Sequence, residues 1–139
     1  MPNILSCQVK ILEADLLTEV KRHLNYWKSQ GKLDFIRNHV MPVMRSYRGH
    51  LHFTRNKDME GMPDLTVLLP GGKVLWLELK SSKGKLSKAQ ELFKKRCELL
   101  GHLYAVLSVS DWSTMPDAIK QIVFDSRSVE RSTEAFRKV

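Results

Sequence analysis

Cysteine is scarce in this sequence of 139 residues: there are two, Cys7 and Cys97, and they stand far apart without a Cys-x-x-Cys spacing. This distribution excludes a disulfide framework and predicts free thiols in a reducing compartment. No apolar run approaches membrane-spanning length, and no secretory signal is evident at the N-terminus. We therefore expect an intracellular, cytoplasmic protein without a membrane partner. Internal repeats and low-complexity linkers are also lacking, which predicts a single domain over residues 1–139.

Acidic residues are missing from two long stretches. Residues 35–57 contain no Asp or Glu, and Glu91 is the sole acid in residues 80–96, while the formal net charge of the chain is +8. Such basic stretches favour a polyanionic partner with a phosphate backbone, although basic charge can also serve solubility alone. The basic residues that we expect to contact this partner are Arg37, Arg55, Lys57, Lys83, Lys85 and Lys88.

The first periodic pattern lies between Leu12 and Gln30, where apolar residues recur at helical spacing and Gly31 provides the stop. The stripe consists of Leu16, Leu17, Val20, Leu24 and Trp27. Glu13 falls on the same stripe, because it precedes these positions by three, four and seven residues. We interpret Glu13 either as an acid directed toward the core or a site, or as a carboxylate that merely favours the positive end of the helix dipole.

Short strands are predicted after this helix. Residues 33–39 can form the first strand, Met41-Pro42 interrupts it, and a loop follows to about Gly49. Residues 50–55 form another strand or the edge of a hairpin with the first. His50 and His52 have a spacing that could hold zinc, but two histidines without further ligands are more typical of surface or phosphate-contacting residues.

The stretch 61–80 predicts a β-hairpin closed by Pro70-Gly71-Gly72. A three-residue loop, with Pro70 starting a type I turn and Gly72 in the left-handed position, sets Asp64 directly opposite Glu78. A two-residue loop would send the two carboxylates to opposite faces. Side chains alternate along a strand, so Lys80 shares the face of Glu78. A carboxylate at the end of an apolar strand is costly unless something pairs with it, which is consistent with a divalent-metal site.

A second helix is predicted after this hairpin. Ser87 is its N-cap, Gln90 completes a capping box three residues later, and Gly101 ends it. Its predicted buried stripe consists of Ala89, Leu92, Phe93, Cys97 and Leu100. Residues 102–109 follow as a buried strand, which a helical crossover places parallel to the preceding strand. A last helix containing Pro116 leads into a charged, Ser-rich tail at 126–139.

This order of elements and motifs resembles the PD-(D/E)XK nuclease superfamily and, within it, the virus-type replication-repair nuclease (VRR-NUC) family. The resemblance covers about residues 13–109, and its motifs are Glu13, Gly61-Met62-Pro63-Asp64, Glu78-Leu79-Lys80, and Gly84-Lys85-Leu86-Ser87 with Gln90. It implies an α/β fold with a restriction-endonuclease-like core at about 12–110. In that core, helices flank a central mixed β-sheet in the order α-β-β-β-α-β, and a C-terminal helix and tail occupy 111–139.

The resemblance also implies a DNA nuclease that hydrolyses phosphodiester bonds with Mg²⁺ or Mn²⁺ and needs no organic cofactor. The metal ligands would be Asp64, Glu78 and the backbone carbonyl of Leu79, since oxygen ligands suit such hard cations. Lys80 would orient the attacking water, Glu13 would act through water or a second metal, and Gln90 would position phosphate or nucleophile. The residues implied as catalytic are Glu13, Asp64, Glu78, Lys80 and Gln90.

Single-domain relatives of this kind resemble structure-selective endonucleases that act as homodimers on branched DNA, such as four-way (Holliday) junctions. This implies a role in the replication or repair of phage or mobile-element DNA, inside the host cell if the protein is phage-encoded. The alternative hypothesis is a non-catalytic basic DNA-binding module that retains the fold. That alternative predicts a damaged Asp-Glu-x-Lys set, and the set in this sequence is intact.

Overall fold

A computed structural model describes residues 10–39, 42–54 and 56–124 of the chain. The predictions for the N-terminal lead-in, Cys7, Arg55 and the tail at 126–139 lie outside the described residues. The helices and strands, in chain order, are α1 (Glu13–Ser29), β1 (Asp34–Arg37), β2 (Val43–Tyr47), β3 (His50–Thr54), β4 (Leu65–Leu69), β5 (Lys73–Lys80), α2 (Lys88–Leu99), β6 (Leu103–Ser108) and α3 (Met115–Phe124). No helix in this part of the chain is long and apolar enough to cross a membrane.

Four strands form the central sheet, in the order β1-β4-β5-β6. β4 runs antiparallel to both β1 and β5, whereas β6 is parallel to β5. The parallel pair is joined through α2, as a crossover connection requires. The predicted mixed α/β fold with a restriction-endonuclease-like core is therefore confirmed, in the order α-β-β-β-α-β, with β2 and β3 inserted between the first two core strands.

The hydrophobic core lies between one face of this sheet and the helices α1 and α3. The alternation of β5 directs Leu75, Leu77 and Leu79 to that face, and all three are buried. The predicted stripe of α1 packs there, with Leu17 half-buried and the other members buried. From α3, the core contains Met115, Ile119 and Val123. The opposite face, which carries Trp76, Glu78 and Lys80, is left for α2.

A three-residue connection joins β4 to β5, as predicted, because Leu69 pairs with Lys73 across it. The predicted left-handed conformation of Gly72 is confirmed by its φ of 73°. The predicted type I turn is wrong. Gly71 has φ 78° and ψ 20°, whereas a type I turn that starts at Pro70 requires a φ of about −90° at this position. The register that the turn length determines is unaffected by this difference.

The predicted capping box of α2 is confirmed: Ser87 Oγ accepts from the backbone N–H of Gln90, and the Gln90 side chain accepts from the N–H of Ser87. The predicted buried stripe is wrong at Leu92 and Leu100, which are exposed. The covered side of the helix includes Ala89, Phe93 and Cys97, which recur at four-residue spacing. Phe93 packs edge-on against Trp76, with 5.3 Å between ring centroids. Leu92 and Leu100 lie on the side of the helix that faces solvent.

A second, two-stranded sheet consists of β2 and β3. The prediction of a loop as far as Gly49 is wrong, and so is a hairpin between residues 50–55 and the first strand. β3 pairs instead with β2, and β1 pairs with β4. Arg48 and Gly49 link the strands with φ values of 49° and 76°. Two central residues with positive φ are typical of a type I′ turn, whose twist suits a tight hairpin.

Candidate active site

Asp64 and Glu78 meet at one end of the central sheet. β4 and β5 pair Leu65 with Leu77, and this register sets Asp64, one residue before β4, across from Glu78. Asp64 Oδ2 accepts a hydrogen bond of 2.8 Å from the backbone N–H of Leu79. The N–H and C=O of one residue point to the same side of a strand, so the Leu79 carbonyl is also directed toward Asp64. The predicted meeting of the two carboxylates on one face is thus what the structure shows.

Asn38 holds the segment that carries Asp64, and this residue was not predicted from the sequence. Its backbone N–H donates to the Asp64 carbonyl at 2.8 Å. Its Nδ2 donates to the carbonyl of Pro63 at 3.0 Å and to Thr66 Oγ1 at 2.8 Å. Asn38 follows β1 and is separated from these partners by 25 or more residues. An Asn after a short strand carries no signal of such a distant role.

Glu78 is almost completely buried, with 2% of its surface exposed. Its Oε1 accepts a hydrogen bond of 3.0 Å from Gln90 Nε2, whereas its Oε2 is buried without a hydrogen-bond partner among the described residues. Burial, followed by the nearby charge of Asp64, raises the pKa of Glu78 from 4.5 to about 8. Two facing carboxylates are stable only when a proton or a cation lies between them, since otherwise their charges repel.

Lys80 brings positive charge to this pair. Its Nζ lies 3.6 Å from Glu78 Oε1, and 11% of its side chain is exposed. The Lys80 charge acts to lower the pKa of Glu78, but the raised value shows that burial and the charge of Asp64 dominate. The ammonium group therefore lies beside the carboxylates without neutralising both.

Glu13 approaches the cluster from the first turn of α1. Its Oε1 lies 4.0 Å from Lys80 Nζ, and about half of its side chain (49%) is exposed. The prediction of an acid directed toward a site agrees with this contact, because the other end of the ion pair is Lys80. Its predicted action through water or a second metal remains a prediction.

Gly61 allows the turn before Asp64 to lie directly against the beginning of α2. Its φ is 78°, and a Cβ at this position would lie 2.5 Å from the carbonyl carbon of Ala89. No side chain fits in that space, so only glycine permits the approach. Gly61 thus joins the segment of Asp64 to the helix that supplies Gln90.

Tyr104 lies beside the cluster on β6 and was also missed. It pairs with Trp76, and residues paired in this way share a face of the sheet, here the face of Glu78. The hydroxyl is buried without a hydrogen-bond partner among the described residues. Burial raises the pKa of Tyr104 well above its usual range, and the charge of Glu78 adds to this. The hydroxyl therefore stays protonated and can serve only as a neutral donor or acceptor.

The oxygen atoms at this end of the sheet fit a hard divalent cation. Two carboxylates face each other, a backbone carbonyl is directed to the same place, and one buried carboxylate oxygen lacks a partner. No group of three or more His, Cys, Asp or Glu residues within 10–39, 42–54 and 56–124 is arranged to hold a metal. The fit therefore rests on Asp64, Glu78 and the Leu79 carbonyl. The same finding leaves the zinc hypothesis for His50 and His52 without a third ligand in the described part of the chain.

Five of the six basic residues predicted to bind phosphate are among the described residues, and these five are exposed in segments that adjoin this cluster. Arg37 ends β1 opposite Leu65, next to Asp64. Lys83 and Lys85 lie in the loop after β5, and Lys88 begins α2. Lys57 lies in a short 3₁₀ turn before Gly61. Cys97, in contrast, is a buried thiol whose pKa burial raises to about 11, so it is not a nucleophile.

The four-stranded mixed sheet and its flanking helices define a protein of restriction-endonuclease-like fold. Comparison with known families gives a match to the VRR-NUC domain over residues 8–111. The chain therefore belongs to the VRR-NUC family, a family of nucleases. It is also 30% identical over 86 residues to the protein named "Putative nuclease p44" from Acyrthosiphon pisum secondary endosymbiont phage 1, an alignment that covers 62% of this chain and 92% of the phage protein.

Proposed function

We propose that the chain is a metal-dependent endonuclease that hydrolyses phosphodiester bonds of DNA at the cluster of Asp64, Glu78 and Lys80. The observation that carries this proposal is the buried Oε2 of Glu78, which has no partner in the described residues although it faces a second carboxylate. A cation bound there would satisfy that oxygen and remove the repulsion between the two acids. Mg²⁺ or Mn²⁺ held by Asp64, Glu78 and the Leu79 carbonyl would supply Lewis-acid activation of the scissile phosphate.

The side chains around the carboxylates have separate tasks in this mechanism. Lys80, which is largely buried, donates hydrogen bonds to the attacking water or to the phosphate and stabilises negative charge that develops in the transition state. Gln90 donates to Glu78 and so keeps this carboxylate in one orientation, rather than contacting phosphate itself. Glu13 is exposed enough to reach a water on the solvent side of Lys80.

Cleavage of plasmid DNA tests the catalytic part of the proposal. Glu78→Ala and Lys80→Ala should each abolish nicking in Mg²⁺ while most DNA binding remains, because the exposed basic residues are unchanged. The matched control is Glu91→Ala, which removes one carboxylate from an exposed position of α2. Retained cutting by Glu78→Ala would refute the role given to that residue.

Metal binding has a readout that does not need activity. Mg²⁺ that binds only the folded chain raises its stability in proportion to the logarithm of the free metal concentration. The melting temperature of the wild type should therefore rise with Mg²⁺, and that of Glu78→Ala should not. Equal shifts in both proteins would place the metal elsewhere.

A homodimer acting on four-way junctions is the finer form of this proposal. Two sites are needed to cut two strands, and α2 carries an apolar surface that a second copy would cover. Leu92 and Leu99 are seven residues apart, hence on one side of the helix, and they are 54% and 86% exposed. Light scattering of the wild type and of Leu92→Ser/Leu99→Ser, with and without junction DNA, tests this. A wild type that is monomeric on the junction would remove the junction-resolving version.

A further inference from the structure

The hairpin of β2 and β3 has two faces of different chemistry. Its register pairs Arg45 with His52 and Tyr47 with His50, so these side chains share one face. We call this the basic face; it consists of Arg45, Tyr47, His50 and His52, with the pair Val43 and Thr54 at the base of the hairpin. The alternate positions form the apolar face, which consists of Met44, Leu51 and Phe53 together with Ser46. Neither face contains a carboxylate.

Neither face is covered by the rest of the described chain. All ten residues of the two strands are exposed, including Tyr47 at 64% and Phe53 at 71%. The strands pair with each other in a sheet separate from the central one. An isolated two-stranded hairpin is marginally stable in water. The hairpin contributes little to the hydrophobic core. Its exposed side chains are therefore better explained by contact with a binding partner than by a role in folding.

Both connections of the hairpin lead, along the sequence, to the end of the central sheet that carries the carboxylates. β1 ends with Arg37 opposite Leu65, and the next residue, Asn38, bonds to the Asp64 carbonyl. The chain therefore leaves for the hairpin beside Asp64. It returns through residues 56–63 to Asp64 itself. Anything bound along the hairpin is connected to the proposed metal site by a short length of backbone on both sides.

The tip of the hairpin adds a second arginine to the basic face. Arg48 adopts a left-handed conformation, with φ 49°. Its guanidinium lies over the ring of Tyr47, 5.4 Å from the ring centroid. This contact holds the charge of Arg48 next to Tyr47, on the same face as Arg45. Two arginines and two histidines, with an exposed aromatic ring between them, suit the phosphates and sugars of a nucleic acid backbone.

We propose that the β2–β3 hairpin is a DNA-binding arm whose basic face contacts the duplex beside the phosphate that is cut. This inference rests on the proposed nuclease function and assigns the substrate-binding surface that serves it. Arg45 and Arg48 form ion pairs with phosphates, and the ring of Tyr47 packs against the sugar-phosphate backbone. The charge of the face selects DNA over a protein partner, because a second copy of this basic chain would be repelled from it.

Binding of a fluorescein-labelled duplex, measured in chelator so that no cutting occurs, tests the arm. Arg45→Ala/Arg48→Ala should raise Kd by about tenfold and lower the slope of log Kd against log salt by about two, since two phosphate contacts are lost. The matched control is Lys73→Ala/Lys120→Ala, which removes the same charge from exposed positions away from the hairpin. In this control variant, the slope of log Kd against log salt should change by much less. Equal effects in the two double variants would overturn the proposal.

The apolar face provides the second control. Met44→Ser/Leu51→Ser leaves every charge in place and should bind the duplex like the wild type. If this variant instead lowers the molar mass in light scattering and weakens DNA binding, the hairpin is an interface between copies and the proposal is wrong. Circular dichroism checks that each variant is folded. A wild type that does not cut DNA would contradict the nuclease proposal. The binding comparison would still be interpretable, because it is measured without metal.

Discussion

Gln90 donates a hydrogen bond from Nε2 to Glu78 Oε1 over 3.0 Å, while its Oε1 accepts from the backbone N–H of Ser87 at 2.8 Å. One side chain therefore both caps α2 and orients the buried carboxylate. The two contacts use different atoms of the amide. A substitution that preserves one and removes the other can separate the stability of the helix from the chemistry of the site.

Gln90→Glu makes this separation. A glutamate still accepts from the Ser87 N–H, so the helix cap and its contribution of about 1 kcal/mol to the free energy of unfolding are retained. The N–H donor to Glu78 is replaced by a third carboxylate, and cleavage should fall by about ten- to a hundredfold. Urea unfolding and plasmid nicking measure the two effects.

The control for this prediction is Ser87→Ala. It removes the N-cap and should lower stability by about 1 kcal/mol without touching Glu78. At temperatures where it is folded, it should cut DNA far better than Gln90→Glu. The reverse order of activities would show that the amide acts through the helix alone.

The buried carboxyl of Glu78 predicts an unusual pH dependence of stability in the absence of metal. Its pKa is about 8 in the folded chain and 4.5 when unfolded, so the folded state holds a proton that the unfolded state has released. The resulting stabilisation is fully present below pH 4.5 and is lost progressively as the pH rises, until it passes about 8. The full effect is on the order of 5 kcal/mol.

Glu78→Gln isolates this effect, because the amide mimics the protonated acid and does not titrate. Urea unfolding in chelator at several pH values should show the stability of the variant, relative to the wild type, increasing from pH 5 to pH 8. Parallel stability curves for the two proteins would mean that Glu78 ionises normally in the folded chain.

Gly61→Ala should be one of the more destabilising single substitutions in the chain. The added Cβ would collide with the Ala89 carbonyl in addition to the strain of a positive φ, and the sum is about 3 kcal/mol or more. Gly31 has a similar φ of 72° but nothing within 4 Å of an added Cβ. Gly31→Ala should therefore lose about 1–2 kcal/mol. Thermal unfolding measures the difference, and equal losses would contradict the close packing at Ala89.

Asn38→Ala should weaken the site without touching a carboxylate. It removes the donors to Pro63 and Thr66 and lowers stability by about 1–3 kcal/mol. The segment of Asp64 is then less restrained, so more Mg²⁺ should be needed for half-maximal cutting. Asn38→Asp has the same shape without the donors and should behave alike. An unchanged Mg²⁺ requirement in both variants would show that Asn38 serves stability alone.

The parts of the site that follow local rules could be predicted from the sequence. The loop length between β4 and β5 and the alternation of β5 together determined that Asp64, Glu78 and Lys80 meet. The capping box likewise located Gln90 at the first turn of α2. Each of these inferences spans a few residues within a single hairpin or helix end. Local geometry therefore determines these side-chain positions, and tertiary packing changes them little.

The parts that depend on what covers a residue could not be predicted. β2 and β3 are exposed on both sides, so burial imposes no alternating pattern on them. Leu92 and Leu100 have the spacing of a buried stripe, but they lie on the side of α2 that faces solvent. The contacts of Asn38 and the raised pKa of Glu78 both arise from segments far away in sequence. In each case the missing information was the shape of the neighbouring surface.

The turn at Pro70–Gly72 places an unexpected restriction on how this chain can vary. Along a strand, a shift of one residue exchanges the two faces. Deleting one glycine from the turn would therefore move Asp64 or Glu78 to the other side of the sheet, although the turn lies about 17 Å from them by strand length. Length changes at this exposed loop should be tolerated in pairs and not singly. The number of residues in this surface loop must therefore stay odd, because only an odd number keeps the two carboxylates at the other end of the hairpin on one face.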